Sequence, residues 1–232
     1  MPSLKDIRNR IRSVKNTQKI TQAMKMVAAA KVKRAEGRMR AARPYTRALR
    51  QIMTDVFNEM KNQARLLSGS RYIELLNPRP VKNVGIIVIS SDRGLCGSYN
   101  ASIIRQALRL DKELKAQGLT PKFFLVGNKV IQAFKRYSDS EVLGTMANMT
   151  ASPQPGHADT IAETMVKAFL DGKVDSIDIL GTDFISMISF KIRVTPVIPV
   201  KGILEEYMVQ IDPSQSWVNE EALVEPPEGL RP

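Results

Sequence analysis

Residues 90–100 read Ser-Ser-Asp-Arg-Gly-Leu-Cys-Gly-Ser-Tyr-Asn and hold the densest set of reactive side chains in the chain. They follow a short β-branched apolar run at 84–89 and precede an amphipathic stretch at 100–117. In a doubly wound fold a loop between the first strand and the next helix is where a nucleotide binds. The loop matches neither G-x-G-x-x-G nor G-x-x-x-x-G-K-[ST]. At the end of the second apolar run, where an acidic residue would hold a ribose, stand Gly127 and Asn128. The better reading is a tight turn that needs glycine dihedrals at Gly94 and Gly97. Cys96 sits just ahead of a helix, where a thiolate is favoured, and His157 is the single histidine available as its base. A nucleophile needs that base within hydrogen-bond reach, and no spacing brings the two together. Cys96 therefore reads as a small packing residue, and His157 as a residue of a helix-start loop. Asp92 and Arg93 are adjacent and could form an exposed ion pair, usually worth less than about 1 kcal/mol.

The elements that must position this loop alternate. Residues 84–89 and 123–126 are short continuous apolar runs, as in strands buried on both faces of a parallel sheet. Residues 100–117, 129–137 and 157–171 carry helical periodicity, with Gly118 and Gly172 placed as C-terminal stops. Residues 142–149 suggest a weak strand. Residues 176–184 and 191–199 read as two strands with little room between them, hence a hairpin. The alternation predicts an α/β fold, a three-layer α/β/α domain with a mostly parallel sheet, over residues 81–201.

Ahead of this domain stands a different kind of sequence. Residues 1–62 are nearly all helix-forming, and at about 1.5 Å per residue a helix of that size is roughly 90 Å long. Ser3 with Asp6 marks its start in a capping-box variant. Leu4, Ile7, Ile11 and Val14 repeat at alternating spacings of 3 and 4, as in a coiled-coil seam. The seam shifts through Thr17 and resumes at Ile20, Met24 and Val27. Residues 24–30 are almost uncharged, and Ala28, Ala29 and Ala30 let a partner backbone approach closely. Gly37 weakens the helix by about 1 kcal/mol relative to Ala, and Pro44 is expected to kink or break it near Arg43. Met24, Met26, Met39, Met53 and Met60 lie on the rod, and such side chains adapt to changing partners. Residues 63–80 read as a connection, and residues 202–232 as an acidic, Pro-containing tail.

Charge separates the parts. Residues 1–65 hold 17 Lys or Arg against 4 Asp or Glu, so the rod carries the whole excess of +12. A basic rod suits an acidic protein collar, an anionic membrane surface or nucleic acid. Aromatic residues are only 6% of the chain, too few for stacking platforms, and no zinc finger or helix-turn-helix is present. A basic nucleic-acid-binding or assembly protein is the alternative reading. One cysteine excludes an intrachain disulfide and suits a reducing compartment. No run nears 18 consecutive apolar residues and no apolar leader is evident, so neither a membrane span nor a signal peptide is expected. No cofactor or metal is expected.

Two segments, LKDIRNRI followed by SVKNTQKITQAMKMVAAAK, and SSDRGLCGSYN, resemble the gamma subunit of F-type ATP synthase, the central rotor stalk, in its bacterial form. The similarity runs along essentially the whole chain. It implies a long coiled-coil helix with a Rossmann-like α/β domain and no chemistry of its own. It implies partners: the alpha and beta subunits of the catalytic head, the epsilon subunit and the membrane c-ring. It implies a peripheral place on the cytoplasmic face of the bacterial inner membrane. Carried onto this sequence, it puts Ile20, Met24, Lys25 and Val27 against the beta-subunit levers, and Asp92, Arg93 and Cys96 near the collar side of the head. The family's long C-terminal helix has no counterpart in these 232 residues, so half of the coiled coil is expected to be missing.

Overall fold

The computed structural model of the chain describes residues 3–62, 74–76, 78–186 and 189–200, without the side chains of residue 50 and residues 57–62. Most of the expected connection and the expected acidic tail lie outside the described residues. Two units result, a helix and an α/β domain.

The helix, α1, spans Leu4–Asn62 without interruption. Its start is fixed as the sequence suggests: the Ser3 N–H donates to Asp6 Oδ2 (3.0 Å) and the Asp6 N–H to Ser3 Oγ (3.4 Å). The expected break at Pro44 does not occur, because Pro44 lies inside the helix. Proline removes one intrahelical hydrogen bond and crowds the preceding turn. Here good helix formers on both sides, Ala41 and Ala42 before it and Arg47, Ala48 and Leu49 after it, carry the helix through.

The domain is built on strands β1 (Asn83–Ile89), β2 (Thr120–Val126), β3 (Glu141–Met146), β4 (Ser176–Ser186) and β5 (Ser189–Ile198), with helices α2 (Tyr99–Ala116), α3 (Asn128–Tyr137) and α4 (Pro155–Leu170) between them. The sheet order is β3-β2-β1-β4-β5. β1 pairs in parallel with β2 and β4, and β2 in parallel with β3, while β5 runs antiparallel to β4. This is the mostly parallel sheet with a closing hairpin that the alternation predicts, and the suspected weak strand is β3.

Because side chains alternate across a strand, β1 and β2 feed two cores. Val84, Ile86 and Val88 join Phe123, Leu125 and Leu180 beneath Ile103 and Ala107 of α2 and Val130 and Phe134 of α3. Ile87, Phe124, Val126 and Ile177 join Met165, Ala168 and Phe169 of α4 on the opposite face. The result is three layers, helix–sheet–helix. Gly118 and Gly172 follow α2 and α4 with φ of 77° and 72°, as expected of C-terminal stops. Arg79 ties the lead-in of β1 to the α4–β4 turn. Its guanidinium lies 4.1 Å over the Phe169 ring, meets Asp175 at 3.0 Å and donates to the Phe169 and Val174 carbonyls.

Candidate functional site

The loop after β1 is held from within. Ser90 is buried, and its hydroxyl accepts the Val130 N–H at 3.1 Å. Gly127 stands against it with φ of 97°, and a Cβ there would lie 2.5 Å from the Ser90 carbonyl oxygen. Only glycine fits. Asp92 is the centre of the loop. Its Oδ1 accepts the N–H of Asn128 (3.0 Å) and of Asn148 (2.8 Å), and its Oδ2 accepts the N–H (2.9 Å) and the hydroxyl (2.6 Å) of Thr150. Burial pushes its carboxyl pKa up, but these donors outweigh it and hold the group down to about 2. The expected Asp92–Arg93 ion pair is therefore not formed, since four donors on other elements take both carboxylate oxygens.

The turn itself departs from expectation at one residue. Gly97 has φ of 58°, as foreseen, but the second left-handed position is Leu95 at 61°, not Gly94. A leucine tolerates that region poorly. Asn100 braces the turn: its amide donates to the Arg93 carbonyl (3.1 Å) and towards Cys96 Sγ (3.0 Å), and its Oδ1 accepts the Ser91 N–H (3.0 Å). Leu95, at 95% exposure, is left at the tip with Arg93 and Cys96 exposed beside it. The loop is thus an organised projection whose outer surface is apolar and cationic. Sequence reasoning missed Asn100 and Thr150, whose roles depend on which segments the fold brings beside the loop.

This arrangement does not favour nucleotide or covalent chemistry. The N-terminus of α3, a place for an anion, is already filled by the Asp92 carboxylate. At the switch between β1 and β4, an open cavity of about 240 Å³ lies among Ile89, Tyr99, Ile179, Thr182, Asp183 and Arg193. Cofactor pockets run to roughly 300–1,000 Å³, and here Arg193 is already paired to Asp183 at 2.8 Å. Cys96 Sγ has Asn100, Ser91 and Arg93 for polar neighbours. His157 lies in the first turn of α4 rather than before it, and its Nδ1 accepts the Gln154 N–H at 3.1 Å in a reciprocal cap. The two do not form a nucleophile–base pair. Among the described residues no group of three or more His, Cys, Asp or Glu could hold a metal ion.

The second surface is on α1. Ile20, Met24, Lys25 and Val27 are all exposed. At about 100° per residue, Met24, Met26, Val27, Ala28, Ala29 and Ala30 point in every direction around the axis. Met24, Met26 and Val27 are 52–64% exposed. Only Lys25 interrupts this girdle, and a helix apolar nearly all round belongs in a buried place.

No helix among the described residues is long and apolar enough to cross a membrane. A family model described as ATP synthase matches residues 3–228. The ATP synthase gamma chain of Picosynechococcus sp. is 44% identical over 200 residues, covering 86% of this chain and 62% of that relative. The gamma chain of Gloeothece citriformis is 40% identical over 205 residues, covering 88% of this chain and 63% of that relative. The chain thus spans just over three fifths of the length of these relatives. Among solved structures, the central stalk/c-ring of the Tetrahymena thermophila mitochondrial ATP synthase matches at 24% identity and a TM-score of 0.49, covering 81% of this chain and 77% of that one. With nearly the whole chain matched by one family model, and gamma chains at 40% identity or more along most of it, the chain belongs to the ATP synthase gamma-chain family.

Proposed function

We propose that this chain serves as the central-stalk part of an F-type ATP synthase, a rotor element that couples proton-driven rotation to ATP synthesis and catalyses nothing itself. In this reading α1 is one half of a coiled-coil shaft inside the ring of alpha and beta subunits. The α/β domain faces the epsilon subunit and the c-ring, peripheral to the cytoplasmic face of a bacterial inner membrane. Ile20, Met24, Lys25 and Val27 bear on the beta levers. Arg93 and Cys96, with Leu95 between them, form the collar-side contact, and Asp92 holds that loop in shape. Residues 1–62, 63–80, 81–201 and 202–232 are its shaft, connection, Rossmann-like α/β domain and acidic tail.

One observation carries this reading: the girdle at residues 24–30 is apolar around the axis of an exposed helix, interrupted only by Lys25. A flat partner covers one face of a helix. A girdle calls for a partner that encloses it, as a ring does. The adaptable methionines suit a ring whose inner surface changes as the rod turns. The test is capture of alpha and beta subunits by the tagged full chain. Stoichiometric alpha–beta rings in the eluate are expected, and loss of capture by Met24→Lys with Val27→Lys should follow. Recovery of nucleic acid in place of alpha and beta would sink the rotor reading in favour of a basic binding protein.

A further inference from the structure

The chain enters the α/β domain through residues 78–82, just ahead of β1. Pro78 and Pro80 carry no N–H, so the hydrogen-bond ladder of the sheet cannot be continued upstream through them. A residue before proline is biased towards extended backbone, which makes Arg79 part of a straight lead-in. Side chains must fasten this stretch, and they do so at one place, the turn between α4 and β4.

Arg79 reaches the C-terminal end of α4. The last carbonyls of a helix lack intrahelical donors and favour a cation. The Arg79 guanidinium donates to the Phe169 carbonyl at 2.8 Å and to the Val174 carbonyl, and its Nε lies 3.0 Å from Asp175 Oδ1. Its centre stands 4.1 Å over the Phe169 ring. Phe169 and Val174 are fully buried, so the arginine is seated on the core. Asp175 supplies the other half of a clasp. Its Oδ2 accepts the N–H of Lys82 (3.0 Å) and of Asn83 (2.8 Å), and its own N–H donates to the Asn83 carbonyl (2.7 Å). Burial pushes its carboxyl pKa up, but those N–H groups and the Arg79 charge outweigh it and hold the group below the ordinary carboxylate range. On the other side, the Lys82 carbonyl accepts the Thr120 N–H at 2.8 Å.

We infer that Arg79 anchors the chain arriving from α1, spreading tension on that connection over its Phe169, Val174 and Asp175 contacts before the tension reaches β1. Contacts held by one planar fork share a pull and open together. Without the fork, the pull falls on the Lys82 and Asn83 hydrogen bonds, which open one after another. A lysine keeps the charge beside Asp175 but loses the fork. The inference rests on the rotor reading for the source of the load, and it adds the residue that carries this load into the domain.

The experiment holds the full chain at constant force in an optical trap and reads the lifetime of the folded domain. Handles at Ser68→Cys and Lys129→Cys, with Cys96→Ser, draw the start of β1 away from the end of its parallel neighbour β2 and send the pull through Arg79. Handles at Lys112→Cys and Lys129→Cys bypass the lead-in. Through the first pair, Arg79→Met should shorten the lifetime at least about tenfold, as expected when bonds to a charged donor are lost. Through the second pair the same variant should lose far less. Arg79→Lys should fall between wild type and Arg79→Met through the first pair, and it carries the test alone if circular dichroism shows that Arg79→Met does not fold. Equal shortening in both pulling directions would mark an ordinary stabilising contact and overturn the inference. So would an unchanged lifetime, or Arg79→Lys as durable as wild type. Pulling needs no other subunit, and capture of alpha–beta rings is scored separately, so failure of the anchor and failure of the rotor reading are told apart.

Discussion

Four hydrogen-bond donors from three residues in two segments converge on the Asp92 carboxylate, and they make it the residue on which the loop after β1 depends. Hydrogen bonds to a charged acceptor are worth about 1.5–3 kcal/mol. Asp92→Ala strands three backbone N–H groups and should cost about 2–4 kcal/mol in urea denaturation of the full chain; a loss below about 1 kcal/mol would show that water replaces the carboxylate. Its pKa of about 2 lies below the ordinary 3.8. The stabilisation is therefore complete above about pH 4 and is lost as pH falls towards 2. Asp178 behaves in the opposite sense. It sits opposite Ile86 in the sheet register, and burial pushes its carboxyl up to about 6. The folded state then binds the proton more tightly than the unfolded state. Stability should fall as pH rises from about 4 to about 6, and the penalty persists at neutral pH. Asp178→Asn should raise stability at pH 7 by up to about 3 kcal/mol and change it little below pH 4. A gain of equal size at both pH values would refute a buried charge as the cause.

Among the elements, α1 and the β4–β5 hairpin both leave apolar side chains uncovered. Phe184 and Ile185 are exposed on the stretch of β4 that continues past its pairing with β1. Two-stranded ribbons are marginal alone in water, so this end of the sheet is a natural place for a partner. In α1 the weak point is Pro44, which carries no N–H for the Arg40 carbonyl and yet sits inside a continuous helix. Proline costs about 3 kcal/mol against Ala in a helix interior. Pro44→Ala should strengthen α1 by about 1–3 kcal/mol and slow amide exchange over the adjoining turns. No slowing there would mean that the turn before Pro44 is already fully stabilised by other contacts.

For the whole molecule the question is how an uncovered rod and a well-packed domain serve one task. In the domain, Phe123, Phe169, Ile86 and Ile103 are fully buried, whereas the seam and girdle of α1 face outwards. Isolated helices take most of their stability from packing, so the rod depends on its surroundings and the domain does not. If the girdle bears on the beta levers, Met24→Lys puts an ammonium into an apolar bearing. A new charge-assisted bond there of about 1.5–3 kcal/mol would hold one rotary position against the others. Proton pumping per ATP hydrolysed, measured on one reconstituted sample, should fall severalfold while hydrolysis changes less. An unchanged ratio would remove Met24 from the bearing surface.

Local pattern was enough for the helix start at Ser3 and Asp6, the uncovered seam, the glycine stops at Gly118 and Gly172, and the order of strands and helices. Each depends on residues a few positions apart, or on apolar runs whose burial composition alone implies. The family too was legible, because its motifs are long contiguous stretches of sequence. The continuity of α1 through Pro44 was not legible, since a local penalty is outweighed by the turns on either side. Nor was the state of the loop after β1. By sequence Asp92 could pair with Arg93 in an exposed ion pair, and only the fold brings Thr150, Asn148 and Asn128 from 36 to 58 residues away to saturate it. Leu95 took the left-handed position expected of Gly94, because Asn100 and the start of α2 fix the path of the turn. The identity of the chemical groups was written in the chain; which of them remain available to a partner was decided by long-range packing.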